Sequence, residues 1–260
     1  APENAEADPE AAAADALADP LRNSQMLQFP AEGSLFVAGD LHNHRRNFER
    51  FQRAANLADH PDRHVILQEL IHGGDLGPAG EDRSLDLLLS ALHWAGRFPA
   101  QVHFLLANHD MAQVLAIPIM KDGYDLTDRF TRHVNRSFAA DAPRVHAAIA
   151  QFFHSIPLAA VTATGIFFAH SLPSDRDLAT FDKSILRRDL TDEDWQRRRA
   201  DAIDALQRSS AAGPQDWRAY HDLGMIYLGL NDLDKGAKYL DASEARMPAF
   251  VRNHRANYFD

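Results

Sequence analysis

Three times before residue 120, a short apolar run meets a polar cluster and gives way to a stretch with helical spacing. SLFVAGD (34–40) precedes NFERFQRAANLA, HVILQELIHGGD (64–75) precedes SLDLLLSALHWAGRF, and AQVHFLLANHD (100–110) precedes MAQVLAIPIM. Repeated strand-then-helix units predict an α/β sheet whose chemistry gathers at the strand carboxyl ends. LAAVTATGIFFAHS (158–171) predicts two further strands joined by a turn at 163–165, the second ending at His170. Residues 124–154 read as mostly helical, a cap or insert with Phe130, Val134, Phe138, Val145, Ile149 and Phe152 on its apolar faces. Residues 1–29 open with an alanine-rich, acidic stretch holding three prolines, which reads as a mobile tail with transient helix around 11–18.

The predicted strand ends carry Asp40 and His42, Asp75, Asn108 and His109, and His170. Leaving such groups dry and unpaired costs about 1–3 kcal/mol each, so they need partners. With 14 histidines and no cysteine, a metal site here must use imidazole, carboxylate and amide ligands, which suits manganese, iron or zinc. Two divalent ions would require one carboxylate, Asp75, to be shared. The formal net charge of −10 argues against binding nucleic acid through phosphates. No run of apolar residues is long enough to span a membrane, and a cytoplasmic location is expected. A processed or exported form stays open, because the sequence starts at an alanine.

In order along the chain, GDLH (39–42), GGDLG (73–77), ANHD (107–110) and FFAHSLPS (167–174) resemble the motif series of the calcineurin-like metallophosphoesterases. The spacing is most similar to the branch that holds the Ser/Thr protein phosphatases and the dinucleoside tetraphosphate hydrolases. The resemblance implies an α/β fold, a β-sandwich flanked by helices, over 30–190. It implies hydrolysis of a phosphate ester, on a protein or a small molecule, by metal-activated water. Asp40 and His42 would hold a first divalent ion, Asp75 would bridge, and Asn108 with His170 would hold a second. His109 would be the general acid, with Asp110 supporting it, and Arg83 and Arg45 would grip phosphate. Three departures accompany the match. Ala107 stands where the family has glycine, the Asp82-Arg83 pair is displaced along the loop, and no Gly-His pair follows His170, leaving only His221 and His254. Without that last histidine, one ion rather than two is a second expectation.

Residues 191–260 contain WRAYHDLGMIYLGLNDLDKGAKYLDASEARMP, which resembles a tetratricopeptide repeat through Tyr220, Leu223, Gly224, Tyr227, Gly236, Leu240 and Pro248. The segment predicts short helices, with His221 exposed or in a groove, and a surface for a protein partner. His44, His72 and His103 read as solvent-facing polar residues beside the motifs. Two functions therefore stand side by side: a metal-dependent phosphoesterase, or a phosphatase-like scaffold that captures a protein through its repeats.

Overall fold

The computed structural model describes residues 8–74, 76–77, 80–121, 124–172, 178–230 and 232–247. Its elements run α1 (Pro9–Ala18), β1 (Arg22–Asn23), β2 (Met26–Phe29), β3 (Ser34–Val37), α2 (Arg45–Ala55), β4 (Arg63–Gln68), α3 (Ser84–Arg97), β5 (Val102–Leu105) and α4 (Asn108–Leu115). There follow β6 (Met120–Lys121), β7 (Tyr124–Asp125), α5 (Leu126–Phe138), α6 (Ala142–Ser155), β8 (Ala159–Thr162), β9 (Phe167–Ala169), α7 (Asp192–Ala212), α8 (Trp217–Gly229) and α9 (Leu233–Arg246). The chain divides into two compact units, 1–111 with 128–190 and 112–127 with 191–260.

In the first unit β3, β4 and β5 form a parallel sheet, with Phe36 paired to Val65 and Val65 to Val102. The second sheet has the order β1-β2-β8-β9, parallel only between β2 and β8. Leu27, Phe29 and Ala160 of this sheet share one buried cluster with Ile66 and Leu105 of the other. The two faces thus pack as the α/β sandwich that the sequence predicts. Helices cover the outside. The period of α3 buries Leu85, Leu88 and Leu92, while Phe48 and Phe51 of α2 meet the Trp94 ring edge-on at 5.8 and 6.4 Å. Phe152 of α6 is buried with its ring 5.2 Å from that of Phe104. Truncating such a ring to alanine costs about 3–5 kcal/mol.

Two expectations are corrected here. Residues 9–29 are no tail: Pro9 starts α1, the Asp8 side chain caps it, Ala13 is fully buried, and β1 and β2 enter the sheet. Residues 1–7 lie outside the described residues. Secondly, β4 does not run on to Asp75. It stops at Gln68, and Glu69 follows with φ +48°.

In the second unit α8 and α9 form a close helical pair. Gly224 faces Leu240 and Gly236 faces Leu228 so tightly that a Cβ at either glycine would collide. The Tyr227 and Tyr239 rings stack at 5.5 Å. His221, expected to be exposed or in a groove, is buried beside Trp217 and Asp222. Among the described residues no helix is long and apolar enough to cross a membrane.

Candidate metal centre

Four strand ends of the first unit supply the site. Asp40 lies three residues past β3, Glu69 directly follows β4, Asn108 opens α4 after β5, and His170 directly follows β9. The loop 41–43 is tied to the end of β4: Leu41 N and His42 N donate to Glu69 O at 3.1 and 2.8 Å, and Asn43 N donates to Leu70 O at 3.0 Å. This tie requires unusual backbone. His42, Asn43, Glu69 and His72 all have positive φ, and Gly74 is pressed so closely on His42 O that no Cβ would fit. Left-handed non-glycine residues cost about 1–3 kcal/mol each and concentrate where a site over-determines them.

The Glu69 side chain sits at the middle of the resulting cluster, only 3% exposed. Its Oε2 is 3.5 Å from His42 Nε2 and 3.4 Å from His170 Nε2, and its Oε1 is 3.8 Å from His109 Nε2. These separations exceed the 2.7–3.2 Å of ordinary N–H···O bonds. They match the roughly 3.4 Å between neighbouring ligand atoms when each lies about 2.1 Å from a tetrahedral ion. Among the described residues two sets of donor atoms lie within 4.8 Å of one another, His42 with Glu69 and His109, and Asp40 with Glu69 and His170. Asn108 Oδ1 lies 2.8 Å from His170 Nε2, beside the second set. The side chains thus group Asp40 with His170, whereas the resemblance pairs Asp40 with His42.

The outer contacts orient the rings as metal ligands require. His42 Nδ1 is 2.8 Å from His72 O and 3.2 Å from Ile71 O, and carbonyls only accept, so the ring proton is on Nδ1 and Nε2 offers its lone pair inward. The Gln68 amide nitrogen donates to Ala38 O at 2.7 Å, which turns Gln68 Oε1 toward His170 Nδ1 at 3.2 Å. His170 Nδ1 thus has an acceptor on its outer side, and its Nε2 points into the site beside Asn108 Oδ1.

Electrostatics agree with a place for cations. Burial works to raise the Glu69 pKa, yet contact with His170 and the charges of His170, His42 and His109 bring it down to about 2. Glu69 correspondingly raises that of His170 against the effect of burial. Glu69 Oε1 has no hydrogen-bond partner among the described residues. An anionic oxygen buried and unsatisfied is a ready place for a cation, so the oxygen and nitrogen donors here fit divalent metal.

His109 and Asp110 lie in the first turn of α4. His109 Nδ1 is 3.2 Å from Nδ1 of His72, which is fully buried and not solvent-facing as expected. Asp110 Oδ2 accepts the Ala107 amide at 3.1 Å, reaching back across the helix start. Burial, above all, pushes the Asp110 carboxyl up to about 7. Ala107 itself is free of positive φ, so the alanine costs nothing where the family has glycine.

Other expected residues are engaged elsewhere or lie beyond description. Arg83 is exposed at the start of α3 and pairs with Asp86 at 3.0 Å, while Arg45 is exposed as the first residue of α2. His221 belongs to the second unit. Asp75 and His254 lie outside the described residues. Sequence reasoning missed Glu69, Gln68 and His72. A charge inside the apolar run HVILQELI was the available signal, since a buried carboxylate demands a partner.

A family model described as "Calcineurin-like phosphoesterase" matches residues 34–253. No curated protein matches the sequence. Among solved structures, a protein serine/threonine phosphatase from Saccharomyces cerevisiae, described as similar to human phosphatase PP5, is 17% identical, with a TM-score of 0.47. That likeness covers 69% of this chain and 51% of the yeast one, so the chain spans about half the length of that protein.

Proposed function

The chain belongs to the calcineurin-like phosphoesterase family, and from that premise we propose that it hydrolyses phosphate esters by metal-activated water at the Asp40, His42, Asn108, His109 and His170 cluster. The observation that carries the proposal is the convergence of two sets of metal-type donor atoms at the ends of β3, β4 and β9 and the start of α4. Divalent cations held there would lower the pKa of a water and offset charge on the phosphoryl oxygens. Asn108 and His170 bring an amide oxygen and an imidazole nitrogen to one side, and His42 presents Nε2 from the other.

His109 protonates the departing oxygen. With His72 Nδ1 as the donor to His109 Nδ1, a neutral His109 ring carries its proton on Nε2, the nitrogen facing the cluster, and so serves as acid rather than ligand, which leaves His42 and Glu69 to an ion on that side. Asp110 fixes the first turn of α4 through Ala107 and so holds that ring in place. The exposed guanidiniums of Arg45 and Arg83 carry no comparable support.

Turnover of p-nitrophenyl phosphate in added manganese tests the reading. His109→Gln should lower kcat by about 10²–10⁴ while leaving bound manganese in place. Absence of both turnover and metal uptake in the wild-type chain would favour the scaffold reading, in which the helical second unit captures a protein partner.

A further inference from the structure

The two donor sets share one residue, and that residue is Glu69. We propose that Glu69, and not Asp75 of the GGDLG block, is the carboxylate that both metal ions share. The inference rests on the metal-dependent reading above and alters which residue makes the centre dinuclear.

Three independent features of Glu69 support this role. Its Oε2 faces one ring of each set, His42 at 3.5 Å and His170 at 3.4 Å, while Oε1 faces His109 at 3.8 Å, so one side chain can face two ions. It is buried, yet Oε1 has no hydrogen-bond partner among the described residues. Asp82 Oδ2 and Asp110 Oδ1 also lack a hydrogen-bond partner among the described residues, but of these carboxylates Glu69 is the one with three imidazole rings around it. Finally, its backbone is held left-handed while its carbonyl accepts both Leu41 N and His42 N, which locks the start of the carboxylate arm to the loop bearing Asp40 and His42. Distortion of this kind persists where the surroundings enforce it. Gln68, next in the chain, orients His170, so two consecutive residues after the core of β4 set up the centre.

The test counts manganese bound to the full-length chain after dialysis and reads spin coupling between paired Mn(II) ions by electron paramagnetic resonance. The wild-type chain should hold two ions with a coupled signal. Glu69→Gln should lose the coupled signal and at least one ion. Glu69→Asp, which keeps the charge but shortens the arm, should bind its second ion at least tenfold more weakly, and it serves if Glu69→Gln does not fold. Asp75→Asn should keep two coupled ions. Loss of coupling in Asp75→Asn, or its retention in Glu69→Gln, overturns the assignment alone. A wild-type chain that binds a single ion overturns it as well, and one that binds none also overturns the phosphoesterase reading.

Discussion

Two clusters of imidazoles around a carboxylate sit at opposite ends of the same parallel strands, and they are built differently. At the amino ends, His64 of β4 and His103 of β5 meet Asp19, which ends α1. There His103 Nδ1 donates to Asp19 Oδ2 at 2.6 Å, His103 Nε2 lies 3.1 Å from His64 Nδ1, and Leu21 N donates to Asp19 Oδ1 at 2.8 Å. Both oxygens of that carboxylate are used, and the contacts have hydrogen-bond length. At the carboxyl ends, Glu69 faces three rings at 3.4–3.8 Å with one oxygen unsatisfied. Histidine and carboxylate together do not define a metal site. The first cluster closes on itself and straps a helix to the sheet, whereas the second is spaced for something between its members.

The widest test of this contrast is chelation. Stripping divalent metal should abolish turnover and lower the melting temperature of the wild-type chain, and the same treatment of Glu69→Gln should shift its melting temperature far less. Equal shifts would mean that the stabilising ion binds elsewhere. Next, His103→Ala should cost about 3–5 kcal/mol of stability, because it leaves the Asp19 carboxylate buried without its partner. Metal stoichiometry of the folded fraction should be unchanged, and a change there would erase the distinction between the clusters. A smaller effect is expected from Gln68→Leu, which leaves His170 without its orienting acceptor. Manganese affinity should fall about 10–100-fold with the fold intact, measured by titration against a competing chelator. An unaltered affinity would show that Gln68 does not set the ring.

The carboxyl-end residues were legible to the extent that they sit at obvious strand ends. Asp40, His42, Asn108 and His170 interrupt apolar runs at points where a chain must turn, and motif order singles them out. Glu69 was hidden because the apolar texture resumes after it at Leu70 and Ile71, which invites reading the strand through to Asp75. The actual strand ends where backbone φ turns positive, a property that glutamate does not advertise. Helix α1 was missed for a different reason. Its composition predicts disorder, and what holds it is Ala13 packed in the interior and a pair between residues 84 positions apart. No local pattern encodes a contact of that range.

The smallest effect expected comes from acid, and it separates the clusters by charge rather than by metal. Burial raises the Asp19 pKa, but the hydrogen bond and charge of His103, the Leu21 amide and the charge of His64 outweigh it, leaving the carboxyl below its ordinary 3.8. A carboxylate depressed on folding contributes stability that is fully present above its unfolded value and is lost as pH falls through the folded one. Denaturant unfolding of the metal-free chain should therefore weaken with acid below pH 3.8 more steeply in the wild-type protein than in Asp19→Asn. Working metal-free keeps protonation of the Glu69 cluster common to both proteins, so that the difference in slope belongs to the strap on α1. Parallel slopes would show that the 2.6 Å pair is not ionic in solution. The amino-end cluster would then hold α1 by a neutral hydrogen bond and the buried face of Ala13 alone.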